Sequence, residues 1–329
     1  MANLRAGVIG IGSMGRHHAR IMRQIDGVDL VAVADAGEDR FGVAQDLALG
    51  KSVEDLIAAK LDMAVVAVPT VLHEEVAIAL AQAGVATMVE KPVAATAAAA
   101  RRVTQAFGEA GVLGCVGHVE RFNPAIAELR QRIGAGELGD VCQVATRRQG
   151  PFPARISDVG VIKDLATHDI NSTQWLADSD YIRVAAETTH RAGREHEDMV
   201  AITGLLANGV LVNHIVNWLS PIKERATIVT GERGAFVADT GHVTLEFWAN
   251  GSVPTEWEQL RQFRGVTEGD MTRFALATRE PLRSEGEAFR DAVLGNADAP
   301  IITLAEGLKT LEVAEAALTS AESGQTALL

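Results

Sequence analysis

Short apolar runs recur through the first part of the chain, each followed by a polar or glycine-bearing turn and a helix-compatible stretch. The runs are Ala6–Ile11, Leu30–Ala34, Met63–Val68, Ala86–Val89 and Val112–Val116. Met63–Val68 is apolar throughout, the pattern of a strand buried on both faces. Between the runs, the spacing predicts helices over Met14–Arg23, about Asp39–Leu47, Ser52–Ala58, from His73 onward, and over Ala97–Ala110. Ser52 and Thr96 are the expected N-caps. Strand–helix alternation from residue 3 to about 117 predicts a parallel, doubly wound α/β sheet. Ligands of such sheets sit beyond the carboxyl ends of the strands. Gly10–Gly15, Asp35, Pro69–His73, Glu90–Pro92 and Gly117–His118 all fall at those ends.

The pattern changes near His118. Glu120–Ile133 reads as a helix with Asn123-Pro124 in its first turn, and from Val141 the chain is β-rich. Val200–Leu206 and Val210–Trp218 flank Asn208-Gly209, a strong hairpin signal. Thr227–Thr230, Ala235–Ala238 and Val243–Trp248 continue the strands, with Gly231, Gly234 and Gly241 at turns. Two helices close the chain, near Ser284–Leu294 and Leu304–Ser320, the second with Leu304, Leu308, Leu311 and Leu318 on one face. The expected architecture is a Rossmann domain over residues 1–118 and a second domain over 119–329. The second is α+β with an open, mainly antiparallel sheet. The closing helices are candidates to pack back on the first domain.

Composition narrows the partners. The 329 residues suffice for two cores. Lys and Arg number 30 against 43 Asp and Glu, a net charge of −13. That balance disfavours nucleic acid and anionic membranes as partners. No apolar run approaches the ~20 residues of a membrane helix, and the N-terminus leads at once into a strand, which does not fit a signal peptide. Cys115 and Cys142 lie in separate segments without metal-type spacing, as expected of reduced thiols in a cytoplasmic protein. No cysteine pair accompanies a histidine, and the adjacent His17 and His18 point to different helix faces, so no metal site is expected.

The chemistry begins at GVIGIGSMGRHHAR, Gly7–Arg20. Gly10 permits a tight turn, Gly12 lets a pyrophosphate approach the backbone, and Gly15 lets helix and strand pack closely. Amides around Ser13 and Met14, at the start of the helix, would hold that pyrophosphate. Asp35 ends the second apolar run, where a dinucleotide fold places the carboxylate for the adenosine ribose. No arginine follows it directly, so NAD is expected rather than NADP. Lys91 ends a buried strand, where an unpaired ammonium is costly; it is either a functional cation or a surface lysine paired with Glu90. Asp164 and His168, four apart on a helix, share a face, where a carboxylate can orient an imidazole. Surface pairs of that kind are also common.

These motifs resemble the glucose–fructose oxidoreductase / inositol dehydrogenase (Gfo/Idh/MocA) family of nicotinamide-dependent sugar oxidoreductases. The resemblance rests on GIGSMG at Gly10–Gly15, Asp35, AVPTVLH at Ala67–His73, EKP at Glu90–Pro92 and DLATHD at Asp164–Asp169. It extends to the closing EPLRSEGEAFRDAVLG at Glu280–Gly295. It implies that Lys91, Asp164 and His168 are the catalytic group. It also implies that Pro69, Thr70, His73 and Glu90 line the nicotinamide side, although His73 fits helix capping equally well. A homodimer or homotetramer formed through the second domain is implied too.

GHVERFNPAI at Gly117–Ile126, the segment Arg147–Ile170 and NWLSPIKER at Asn217–Arg225 resemble the subgroup that oxidises UDP-N-acetylhexosamines at C3. A diphosphate there needs cations, for which Arg148, Arg155, Lys223 and Arg225 are candidates. Asn123 and Asn217 are candidates for hydroxyl or acetamido groups. The alternatives are a dehydrogenase of a free polyol such as myo-inositol, or a non-catalytic NAD-binding regulator or scaffold on the same fold.

Overall fold

The computed structural model describes residues 2–152, 159–193, 195–251 and 267–329. The chain forms two compact units. One comprises Met1–Phe122 with Glu280–Glu315, the other Asn123–Arg279 with Ala316–Leu329.

The first unit holds β1 (Leu4–Ile9), α1 (Gly15–Met22), β2 (Val28–Ala34), β3 (Leu49–Gly50), α2 (Val53–Ala58), β4 (Met63–Val66), α3 (His73–Gln82), β5 (Ala86–Glu90), α4 (Ala97–Ala110) and β6 (Gly114–Gly117). Its sheet has the order β3-β2-β1-β4-β5-β6, every pair parallel. The order reverses between β1 and β4, which creates the crevice where such sheets bind ligands. All residues of β4 and β5 are buried, as continuous apolar runs require of strands covered on both faces. Thr96 Oγ1 accepts the Ala99 N–H at the start of α4, and Gly111 ends that helix in the left-handed conformation at φ +64°. Such a cap contributes about 1 kcal/mol.

One expected helix is absent. Asp39–Leu47 forms turns instead, because Asp39 turns its carboxylate back onto the Val43 and Ala44 N–H groups at 2.7 and 2.8 Å. Side-chain bonds of this kind compete with the helix ladder, and Gly42 and Gln45 follow with positive φ. The helix expected over Glu120–Ile133 is split into a 3₁₀ turn, Val119–Phe122, and α5 (Pro124–Gly134), broken by the proline at the first helical position.

The second unit continues from α5 with β7 (Val141–Pro151), α6 (Thr167–Ala177), β8 (Tyr181–Thr189), β9 (Met199–Leu206), β10 (Leu211–Asn217), β11 (Leu219–Gly231), β12 (Gly234–Asp239), β13 (Thr244–Gly251) and β14 (Thr267–Arg273). Two helices, α7 (Pro281–Val293) and α8 (Leu304–Ser323), and the short β15 (Ala327–Leu328) end the chain. The nine-stranded sheet runs β14-β13-β12-β11-β7-β10-β9-β8-β15 and is antiparallel except for the β7–β10 pair. The hairpin at Asn208-Gly209 joins β9 to β10, with Gly209 at φ +87°. One face packs Val144, Val200, Ile202, Val212 and Val216 into the core with Ile126, Leu129 and Ile170 of α5 and α6. The buried stripe of α8 is Leu304, Leu311, Val313, Ala314 and Ala317, whereas Leu308 and Leu318 are only half-buried. Small residues thus carry much of that contact. No helix among the described residues is long and apolar enough to cross a membrane.

Candidate active site

The glycine loop is shaped by contacts a side chain would prevent. Gly10 has φ +82°, and a Cβ there would lie 2.5 Å from the Ala67 and Val68 backbone, the β4 side of the crevice. A Cβ on Gly15 would lie 1.6 Å from the Gly10 carbonyl oxygen. Gly12 is different: nothing lies within 4 Å of the position its Cβ would take. That open cradle beside exposed Ser13 and the Met14 N-cap of α1 fits a pyrophosphate against bare backbone. The Asp35 carboxylate closes the loop from β2, accepting Ile11 N–H at 2.9 Å and Gly37 N–H at 2.8 Å. Each oxygen keeps a lone pair for a ribose hydroxyl. The residues present therefore fit a dinucleotide.

The two kinds of glycine predict different outcomes. Gly15→Ala should prevent a stable fold, seen as loss of a cooperative thermal melt. Gly12→Ala should melt like the wild type yet weaken NAD at least about tenfold in a fluorescence titration, because its Cβ enters only ligand space.

At the β4 end, Pro69 is exposed and Thr70 half-buried in a 3₁₀ turn over Thr70–Leu72. His73 is buried and neither caps α3 nor faces outward. Its Nδ1 meets the Pro92 carbonyl and its Nε2 the Val68 carbonyl, both at 2.9 Å. With a carbonyl at each nitrogen, only the doubly protonated ring donates to both. His73 therefore ties the β4 loop to the turn that follows Lys91.

Lys91 is half-buried at the end of β5. Glu90 does not serve simply as its surface partner. Glu90 Oε1 bonds His18 Nε2 of α1 at 2.7 Å, and Oε2 accepts the Lys91 N–H at 3.1 Å. Burial pushes the Glu90 carboxyl up, but His18 and Lys91 more than offset it and hold it below the usual range. Glu285 on α7 is 2% exposed and has no hydrogen-bond partner at either oxygen. Burial and the Glu90 charge push it well up, which favours its neutral form. Burial, then the Arg121 and Lys91 charges, push His118 well down, which keeps that imidazole neutral. The sequence placed His17 and His18 on different helix faces without showing which is buried, and Glu285 carried no signal.

In the second unit, Asp164 lies in a π-helical turn, Ile162–Ala166, that leads directly into α6. Asp164 is 5% exposed and His168, in the first turn of α6, is half-buried. The expected helix is thus present with one wide turn at its start, a feature frequent at functional sites. The next residue, Asp169, is buried against Arg148 of β7, whose Nε donates to both carboxylate oxygens at 3.1 and 2.9 Å. Beside that pair, His214 of β10 bonds Thr146 Oγ1 and Tyr181 Oη, each at 2.7 Å. Burial and the Arg148 charge push His214 down to about 3, a neutral ring.

The residues expected to bind substrate divide. Arg148 is engaged by Asp169. Asn123 caps α5 through the Ala125 N–H and donates to the Thr240 carbonyl at 3.1 Å. Asn217 accepts the Leu219 and Ser220 N–H groups and donates to Gln149 Oε1. Arg225 donates to the Gln149 and Glu224 carbonyls at 2.7 and 2.8 Å. Each has an internal task that residue type alone did not reveal. Lys223 is exposed, and Arg155 lies outside the described residues.

A Rossmann unit with an open glycine cradle, in one chain with an α+β unit, is the fold of a dinucleotide-dependent oxidoreductase class. Residues 4–118 match the model of the oxidoreductase family with an NAD-binding Rossmann fold, and residues 126–237 match the GFO/IDH/MocA C-terminal domain. The chain belongs to the Gfo/Idh/MocA oxidoreductase family. It is similar to inositol 2-dehydrogenase 2 of Saccharopolyspora erythraea, 30% identical over 98% of this chain and 95% of that protein. It is also similar to UDP-N-acetylglucosamine 3-dehydrogenase of Acidithiobacillus ferrooxidans, 33% identical over 65% of this chain and 66% of that protein. A solved structure of the latter enzyme covers 98% of this chain and 99% of its own at TM-score 0.84 and 28% identity.

Proposed function

We propose that the protein is an NAD-dependent dehydrogenase of a secondary CH–OH group, with a UDP-N-acetylhexosamine oxidised at C3 as its substrate. The observation that carries the dehydrogenase reading is the open Gly12 cradle closed by Asp35; the resemblance to the family adds Lys91, Asp164 and His168 as the proposed catalytic group. Bound nicotinamide supplies the hydride acceptor. His168 takes the hydroxyl proton, Asp164 orients the ring and favours its protonated form, and Lys91 hydrogen-bonds the same oxygen and stabilises alkoxide character.

Full-length likeness to a UDP-N-acetylglucosamine 3-dehydrogenase structure supports the nucleotide-sugar substrate, as does exposed Lys223 alongside Gly150, which has no side chain to cover it. A free polyol such as myo-inositol is the second reading. It is favoured by the internal engagement of Arg148 and Arg225, which removes two of the cations a diphosphate would use. The protein would act as a homodimer or homotetramer. The sheet face opposite α5 and α6 presents Leu211, Ile215 and Ile228 exposed or half-buried, a surface suited to a second copy.

Mass spectrometry after incubation with NAD and either UDP-N-acetylglucosamine or myo-inositol tests these readings. A UDP-sugar product lacking two hydrogens supports the first, and an oxidised inositol alone supports the second. Bound NAD with neither product would overturn both substrate readings. Lys223→Ala should raise KM for the UDP-sugar about tenfold and leave that for myo-inositol unchanged; equal changes would remove Lys223 from the diphosphate. Asp35→Ser should narrow the NAD over NADP preference about tenfold by removing a carboxylate that repels a 2′-phosphate. An unchanged ratio of dissociation constants would displace Asp35 from the ribose.

A further inference from the structure

We infer that Glu197 is a positioning residue that holds the π-helical turn on which Asp164 sits, and so sets how Asp164 meets His168; this rests on the catalytic reading of those two residues.

Glu197 lies 33 and 29 positions from Asp164 and His168 in sequence, in the segment just before β9, yet its carboxylate is the cap of their turn. Its Oε1 accepts the Ile162 N–H at 2.9 Å, and its backbone carbonyl accepts the Val161 N–H at 3.0 Å. These are donors that the start of a helix leaves without intrahelical partners. Glu197 is 6% exposed, so the bond forms away from water, where an acceptor for a helical N–H matters most.

Gly160 completes the fit. A Cβ there would lie 2.0–2.1 Å from the Glu197 carboxylate atoms, so glycine two residues before the turn leaves the room in which the carboxylate sits. The Asp164 N–H then bonds the Gly160 carbonyl at 3.0 Å. Glu197 is itself anchored. The adjacent Asp198, fully buried, accepts the Arg191 and Ala192 N–H groups, each at 2.6 Å, and its carbonyl accepts the Trp218 N–H at 2.9 Å.

The far end of the turn is fixed as well. Thr167 Oγ1 donates to the Lys163 carbonyl at 3.0 Å, and Asp169 is held by Arg148. A π turn is a rare, wide conformation that surrounding contacts must maintain. With both ends held, the turn cannot relax to α-helical spacing, which would rotate Asp164 relative to His168. Among the described residues, the charged and titratable groups on the turn and on the elements around it include Lys163 and Asp164 in the turn, His168 and Asp169 on α6, Arg148 on β7, His214 on β10 and Glu197 itself.

The test separates the acceptor from the charge. Glu197→Gln keeps an oxygen for the Ile162 N–H and loses the charge, Glu197→Ala loses both, and Glu197→Asp keeps the charge on a shorter arm. Two quantities are read in the full chain. One is kcat with NAD and whichever of UDP-N-acetylglucosamine and myo-inositol the wild type oxidises. The other is the titration midpoint of the His168 ring by NMR, assigned by its loss in His168→Ala. Glu197→Gln should stay within about twofold of wild type in kcat, while Glu197→Ala falls at least about tenfold below Glu197→Gln with KM for NAD unchanged. The His168 midpoint should differ between those two variants by about half a pH unit or more. Where Glu197→Ala gives no cooperative melt, Glu197→Asp carries the same comparison against Glu197→Gln. Equal kcat and equal midpoints in the folded variants overturn the inference. Full activity in His168→Ala overturns the catalytic reading instead, and the midpoints still decide whether Glu197 positions the ring.

Discussion

Replacing His168 with alanine is expected to lower kcat by about 10²–10⁴-fold while leaving the dissociation constant for NAD unchanged, the usual loss for a general base. The expectation follows from placement. His168 lies in the first turn of α6 and is half-buried, whereas the neighbours on both sides, Thr167 and Asp169, are buried in internal tasks. The proposed dinucleotide cradle uses Gly10, Gly12, Gly15 and Asp35 and no atom of His168, so NAD affinity should not depend on the imidazole. The pH profile gives a second signature. A base must be unprotonated to accept the hydroxyl proton, so oxidation by the wild type falls as pH drops through the His168 pKa. In His168→Ala that acid-side fall should disappear, leaving a low and flatter profile. Stopped-flow measurement of NADH formation across pH, beside an NAD titration, checks both. Equal turnover of variant and wild type would remove His168 from the mechanism.

Asp169→Asn is expected to lower the unfolding free energy by about 3–5 kcal/mol, the loss typical when one partner of a buried ion pair is removed. Arg148 and Asp169 have side chains only 7% and 3% exposed, so the guanidinium could not turn to water once its carboxylate is gone. The charge would also act on its surroundings: His214, already held neutral by burial and by Arg148, would be disfavoured further as a cation. A double variant, Arg148→Met with Asp169→Leu, should recover most of the loss, because two apolar groups leave no buried charge without a counterion. Urea denaturation of the three proteins measures the difference. A single variant as stable as the wild type would mean that water reaches the pair. The same comparison bears on function, since a folded double variant with low kcat would show that the pair also aligns the helix carrying His168.

Much of the fold and the nucleotide cradle was legible because it depends on local pattern. Apolar runs on two-sided strands, glycines at fixed offsets and a carboxylate at the end of the second strand each state their role within a few residues. The Asn208-Gly209 hairpin is of the same kind. Asp39–Leu47 misled because helix-compatible composition does not reveal that Asp39 will spend its carboxylate on the Val43 and Ala44 amides. The internal tasks of Arg148, Asn217 and Arg225 were hidden for a different reason. A cation or an amide in a promising segment looks available to a ligand until its partner is known, and those partners lie 21, 68 and 76 positions away in Asp169 and Gln149. His73 illustrates both cases. Its place after a strand end was visible, but the hydrogen bonds of its two ring nitrogens to the Pro92 and Val68 carbonyls were not.

The sequence by itself determined most of the strand order of the first unit and the glycine turn after the first strand, because periodicity and motif spacing are properties of neighbours along the chain; the family was read from the resemblance of its motifs. Only the tertiary structure decided that Glu90 answers to His18, that the Asp164 turn is π-helical and capped by Glu197 against Gly160, and that Arg148 belongs to Asp169. Those are pairings between distant residues, chosen when folding removes water and each buried charge or amide must find a partner within hydrogen-bond reach.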